Sequence, residues 1–247
     1  MKKLYERSKI AFAVTWIIVY CVLMSAGDAL SAMLGMEKSV TLVVGIGLSA
    51  VLLLFLWKNR LFDRYGLCRP GIPSRTMLYY VPVFVMLTAN LWYGVTCNYG
   101  FAETVLYMLS MLCVGFLEEV IFRGLLFEAM REDGLKSAVI VSSVTFGMGH
   151  IINLFNGSGA GLLSNLLQIL YATAVGFMFV MMHLKSKSLL VCIAVHGMFN
   201  AFNVFADESA VTDSMQIITA ILLTVITGGY AGYLAYSMKG MWNKHDT

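Results

Sequence analysis

Six residues of this chain have the types and spacing for hydrolytic chemistry: Glu118, Glu119 and Arg123 in one apolar run, His150 in a second, and His196 with Asn200 in a third. A charged side chain deep in a bilayer costs roughly 2.5–3.5 kcal/mol on insertion scales, so such groups normally face protein or water and serve function. On a helix, residues four apart lie about 40° apart around the axis, so Glu119 and Arg123 can pair while Glu118 points about 100° away. The pair accounts for Glu119 and leaves Glu118 without a local partner. Asn200 follows His196 by one turn on the same face. Counted at about 1.5 Å per residue, Glu118, His150, His196 and Asn200 fall roughly 10–20 Å into a bilayer core about 30 Å thick. A desolvated glutamate is a stronger base, a histidine can orient or activate a water, and a histidine with an asparagine can donate hydrogen bonds to a developing oxyanion. Either histidine alone reads equally well as a satisfied core residue; three helices offering such groups at one depth do not. Gly147, Gly149 and Gly197 would leave room for a substrate backbone, although close helix packing favours glycine at the same positions.

The elements that must position these groups are membrane helices. Hydrophobic residues make up 59% of the 247, charged residues 13%, and the mean hydropathy is +0.79, against about 45–50% and 25% in soluble domains. This composition defines an all-α integral membrane protein and leaves no length for a sizeable soluble domain. No basic patch suggests nucleic acid. Eight apolar runs, at about 10–26, 40–57, 77–92, 105–127, 137–154, 162–182, 189–205 and 215–238, approach the roughly 17–25 residues a spanning helix needs. The first follows Lys2, Lys3, Arg7 and Lys9 and is longer than the usual signal-peptide core, so it reads as a retained helix. With eight spans, 16 of the 17 lysines and arginines fall in the terminal tails and alternate connections or, for Arg123, near one, and only Lys38 falls opposite. The bias of basic residues to the inner side then places both termini in the cytoplasm, in what reads as a plasma-membrane protein.

Other features read as structural. Trp57, Trp92 and Trp242 sit at run ends as interfacial anchors. Gly228 and Gly232 form a small-xxx-small pair that permits close helix approach. The five cysteines imply no disulfide framework, and His183 and His245 read as solvated surface groups.

Three segments in order, Glu118-Glu119-Val120-Ile121-Phe122-Arg123, Phe146 to His150 and His196 to Asn200, resemble the signatures of the CAAX-protease and bacteriocin-processing family of intramembrane proteases. The resemblance covers roughly 105–205. It divides the chain into three N-terminal spans (1–104), a four-span catalytic core (105–205), and a last helix with its tail (206–247). It implies an endopeptidase acting on a membrane-associated protein or peptide. In that reading Glu118 and His150 activate water, His196 and Asn200 form the oxyanion pocket, and Glu119 with Arg123 holds the helix in place. A zinc held by Glu118, His150 and His196 is the alternative, since three protein ligands and a water suit catalytic zinc. Ligation would consume the base, however, and would leave Asn200 without a role, so we expect a metal-independent hydrolase. Membrane lipid is the surrounding partner. Two other classes remain: a non-catalytic immunity or sensor-regulating membrane protein, and a small proton-coupled transporter, for which we find no internal repeat.

Overall fold

The computed structural model describes residues 1–76, 80–155, 161–207, 209 and 211–242. The expected start of the third run at residues 77–79, together with Glu208, Lys244 and His245, lies outside them. Among the described residues the chain is all helix apart from an isolated bridge between Val95 and Ala206. In order the helices are α1 (Lys2–Arg7), α2 (Lys9–Met33), α3 (Ser39–Lys58), α4 (Tyr80–Thr88), α5 (Phe101–Glu119), α6 (Phe127–Arg131), α7 (Leu135–Gly149), α8 (Leu162–Ser186), α9 (Leu190–Phe202), α10 (Asp213–Ser237) and α11 (Lys239–Trp242). Six helical stretches, including the continuous Phe101–Arg131, are long and apolar enough to cross a membrane; Val81–Leu91 and Leu190–Phe205 are shorter. These eight correspond to the eight apolar runs.

Local signals set several boundaries. Ser8 breaks α1 from α2 in extended conformation, and its hydroxyl accepts from the Ala11 amide at 3.1 Å, satisfying a donor that the first turn leaves free. Thr212 does the same for α10 through Met215. Between α5 and α6 the backbone widens into a π-helix over Val120–Leu126, all seven residues of which are buried. Its Phe122 carbonyl accepts from the Phe127 amide and also from Ser142 Oγ at 2.8 Å, which ties the widened turn to α7.

Two apolar clusters fill the bundle. One joins α2 and α3 to the π-helical segment, with Phe12, Leu52, Leu56, Leu117 and Ile121 fully buried. The other joins α4, α7, α8, α9 and α10 around Met178, Phe179 and Leu234. Arg123 of the π-helical extension lies between them, its guanidinium over Phe146 of the first and near Phe179 of the second. Outward faces carry exposed Ile18, Val43, Ile46, Phe84, Leu166 and Val225, as a lipid-facing surface requires.

The connections sort to the two ends as alternation predicts. Glu132, after α6, holds Lys9 of the N-terminal segment and Arg64 of the α3–α4 connection, the latter at 2.6 Å. Ser188 Oγ, between α8 and α9, donates to the Cys68 carbonyl at 2.6 Å. At the other end Thr96 N donates to Phe205 O at 2.9 Å and Glu37 N to Glu103 Oε1 at 3.0 Å. Lys38, the basic residue that broke the charge pattern, is paired there with Asp28 at 2.8 Å.

Two sequence expectations change. His183 is 5% exposed: Nε2 lies 3.4 Å from Glu128 Oε1, and its ring meets the edge of Phe127. The α3–α4 connection folds over it, with Gly66 in left-handed conformation (φ +70°) and a hypothetical Cβ there only 2.6 Å from the ring. Of the small-xxx-small pair, Gly232 brings no helices together, since a Cβ there would meet nothing within 4 Å, whereas Gly228 faces α8, where a Cβ would make ordinary contact with Ala174 Cβ at 3.9 Å; both border an apolar groove between α8 and α10. All five cysteines are free.

Candidate active site

Close approach of α5 to α9 builds the centre of the site. A Cβ on Gly115 would fall 2.5 Å from the Gly197 amide nitrogen and 2.6 Å from its Cα, and one on Gly197 would fall 3.0 Å from Leu112 Cδ2. Glycine on both helices therefore lets the backbones touch, one turn before the glutamates on α5 and next to His196 on α9. The α7–α8 contact has the same origin, since a Cβ on Gly147 would overlap Thr173 Oγ1 at 2.0 Å. Of the three glycines expected to make room for substrate, two serve helix packing. Only Gly149 has space, with Phe122 Cζ at 3.9 Å the nearest atom a Cβ would meet.

At that contact Glu119 Oε1 accepts from Arg123 Nη1 at 3.0 Å and lies 2.8 Å from His196 Nδ1, with the Glu119 and Arg123 side chains 0% exposed. Arg123 Nε and Nη2 have no hydrogen-bond partner among the described residues. Its guanidinium instead lies over the Phe146 ring at 3.9 Å, with Phe179 at 5.5 Å, so aromatic faces meet the part of the charge that Glu119 does not. The spacing-based pairing of Glu119 with Arg123 is present, with His196 as an unforeseen third member.

Glu118 faces elsewhere, as its position on the helix requires. Its side chain is 14% exposed, Oε2 lies 3.4 Å from His196 Nε2, and Oε1 accepts from the Tyr20 hydroxyl at 2.6 Å. His196 thus bridges the two glutamates with its two ring nitrogens. With Nδ1 donating to Glu119, the ring donates through Nε2 only when it carries both protons.

His150 ends α7 and begins a 3-10 segment, His150–Leu154. Its Nδ1 lies 3.1 Å from the Phe146 carbonyl, and the ring meets Phe146 edge-on at 5.2 Å. Phe146 also meets His196 edge-on at 5.6 Å, so one ring separates the two imidazoles. His150 lies within electrostatic reach of both Glu118 and His196. Asn165 of α8, which no sequence pattern singled out, is fully buried and donates to the His150 carbonyl at 2.7 Å, tying the end of α7 to α8. Asn200 lies one turn beyond His196, half-buried, with no side-chain hydrogen bond among the described residues. The structure thus brings Glu118, Glu119, Arg123 and His196 into direct contact and His150 within electrostatic reach of them, with Asn200 one turn further along α9.

As a metal site the arrangement is partial: a histidine that binds a metal through one ring nitrogen commonly donates its other N–H to a carboxylate, as Nδ1 faces Glu119 here. His196 Nε2 and Glu118 Oε2, 3.4 Å apart, are spaced as two ligands of one tetrahedral ion would be. Among the described residues no three histidine, cysteine, aspartate or glutamate side chains are grouped to hold an ion.

Fold and site together define an all-α, multi-pass membrane protein with a carboxylate–imidazole cluster between its helices. Comparison with known proteins is specific about the helices that carry the cluster: residues 100–202 match the family described as Type II CAAX prenyl endopeptidase Rce1-like. The match contains all six site residues and bears out the resemblance read from the three motifs. A Bacillus subtilis protein whose name is "Putative membrane peptidase YdiL" is 28% identical over 128 residues, 51% of this chain and 47% of that protein. The aligned stretch therefore spans about half the length of the curated relative. No solved structure matches.

Proposed function

We propose that the chain is an intramembrane endopeptidase that hydrolyses peptide bonds of a membrane-associated protein or peptide, with a water activated by Glu118 and His150. The observation that carries this reading is the division between adjacent carboxylates. Glu119 is consumed by Arg123 and His196, whereas Glu118 keeps 14% of its side chain exposed, with Oε2 3.4 Å from His196 Nε2 and His150 within electrostatic reach. The match of residues 100–202 to a prenyl-endopeptidase family gives the reaction class. Glu118 takes a proton from water as its oxygen attacks the scissile carbonyl; His150 orients that water; and the oxyanion receives hydrogen bonds from the Asn200 amide and from His196 Nε2–H. Collapse of the tetrahedral intermediate returns the proton to the leaving amine. Glu119 and Arg123 hold His196 at the contact of α5 with α9. No step of this reading requires a metal. Both termini are assigned to the cytoplasmic side of the plasma membrane because the basic residues gather at the end where Lys9, Arg64 and Glu132 meet.

The reading is tested with purified full-length protein in lipid nanodiscs, offered membrane peptides with and without a prenylated C-terminus in ¹⁸O-water. Wild-type protein is expected to yield product acids bearing ¹⁸O, and Glu118→Gln none at equal folded amount. Activity is expected to survive exhaustive chelation. Cleavage persisting in both Glu118→Gln and His150→Ala refutes the assignment, and stoichiometric zinc whose removal stops turnover and whose return restores it makes the same residues ligands. Reporter fusions at Arg69 and Lys187 are expected to report cytoplasm, and those at Asn98 and Asp207 the outside; the same signal from Arg69 and Asn98 rejects this topology.

A further inference from the structure

The motifs leave out one group that touches Glu118. Tyr20 lies on α2, 98 residues earlier in the chain, and its hydroxyl donates to Glu118 Oε1 at 2.6 Å. The side chain is 8% exposed and packs in the cluster with Trp16, Met24, Leu117 and Val120, so apolar neighbours fix where the hydroxyl points. A buried phenol normally finds a partner. Toward an ionised carboxylate it can only donate. The hydrogen bond takes one glutamate oxygen and leaves Oε2 turned to His196.

We propose that Tyr20 is a positioning residue for the reaction: its hydroxyl anchors Oε1 of Glu118, so that Oε2 is the oxygen left to take the proton from water. The inference rests on the reading of Glu118 as the base. It also gives the first span a part in the chemistry, although the family match begins only at residue 100. A hydrogen bond donated to an anion favours the charged form, most strongly where water is scarce. The other titratable groups around Glu118 are Cys21 on α2, His150 on α7 and His196 on α9, with Glu119 and Arg123 behind His196 and Asp28 further along α2. Of these, Tyr20 is the group that donates a hydrogen bond to Oε1.

The test is the pH dependence of kcat/KM for the full chain in nanodiscs. For Tyr20→Phe we expect the acid limb to move upward by about one pH unit, the scale of one charge-assisted hydrogen bond, so that kcat/KM below the limb falls about tenfold while KM is unchanged. Trp16→Phe, in the same cluster but away from the carboxylate, keeps the wild-type limb. Replacing Tyr20 by 3-fluorotyrosine, a more acidic phenol and stronger donor, moves the limb downward, and this result decides the matter if Tyr20→Phe folds poorly. A wild-type limb in both Tyr20 variants, with Glu118→Gln inactive, overturns the role of Tyr20 and leaves the function intact. Cleavage by Glu118→Gln overturns the function itself.

Discussion

Glu119 has no exposed side-chain surface and lies between Arg123 and His196, whereas Glu118, one residue earlier, keeps 14% of its side chain exposed between Tyr20 and His196. One step along a helix separates a fully buried carboxylate from a partly exposed one, which the proposed mechanism takes as framework and base. The two are tied together by the single imidazole that touches both. In the proposed mechanism support and chemistry are thus built from the same residue type, distinguished by their surroundings.

Substitutions that remove charge without changing shape test the contrast most severely. Glu119→Gln leaves Arg123 buried without a carboxylate and is expected to destabilise the protein by about 3–5 kcal/mol, read as folded yield and unfolding midpoint in mixed detergent. A Glu119→Gln protein as stable as wild type breaks the comparison. Next in size is Gly115→Ala, whose Cβ would sit 2.5 Å from the Gly197 amide. Backbone cannot yield as a flexible side chain can, so α5 and α9 must separate, at about 1–3 kcal/mol, and His196 moves away from Glu119. The smallest effect belongs to the third acidic group, Glu132, which holds Lys9 and Arg64 at one end of the bundle. Such exposed pairs are worth about 0–1 kcal/mol, so Glu132→Gln should barely change the unfolding midpoint. The hydrogen bond from Lys9, with that from Arg64, holds the Glu132 carboxyl below its ordinary value. Its contribution is therefore full above the unfolded carboxyl's titration near pH 4.3 and fades only as pH falls through the lower folded value. A measurable loss at neutral pH contradicts this ranking.

Part of this arrangement was legible in the sequence. Apolar run lengths located the eight helices, because a membrane imposes a length that composition can satisfy only in runs. Spacing of four joined Glu119 to Arg123 and turned Glu118 away. The remainder depended on contacts between segments far apart in the chain. Nothing in the apolar run of α2 marks Tyr20, since a helix apolar all round does not show which side meets lipid and which meets protein. Asn165 and His183 were hidden for the same reason. The glycines near the histidines pointed to close approach but not to its purpose, and the structure gives Gly147 and Gly197 to helix contacts. Nor does the 3.6-residue period foresee the π-helix after Glu119, a widening that places Arg123 against Phe146 and Phe179. Such segments are concentrated at functional sites.

The most direct test compares Glu118→Gln with Glu119→Gln in one preparation, scoring unfolding midpoint and peptide cleavage per folded molecule. The account predicts that Glu118→Gln keeps the wild-type midpoint and loses cleavage, and that Glu119→Gln loses stability first. Cleavage by folded Glu118→Gln at the wild-type rate would contradict it.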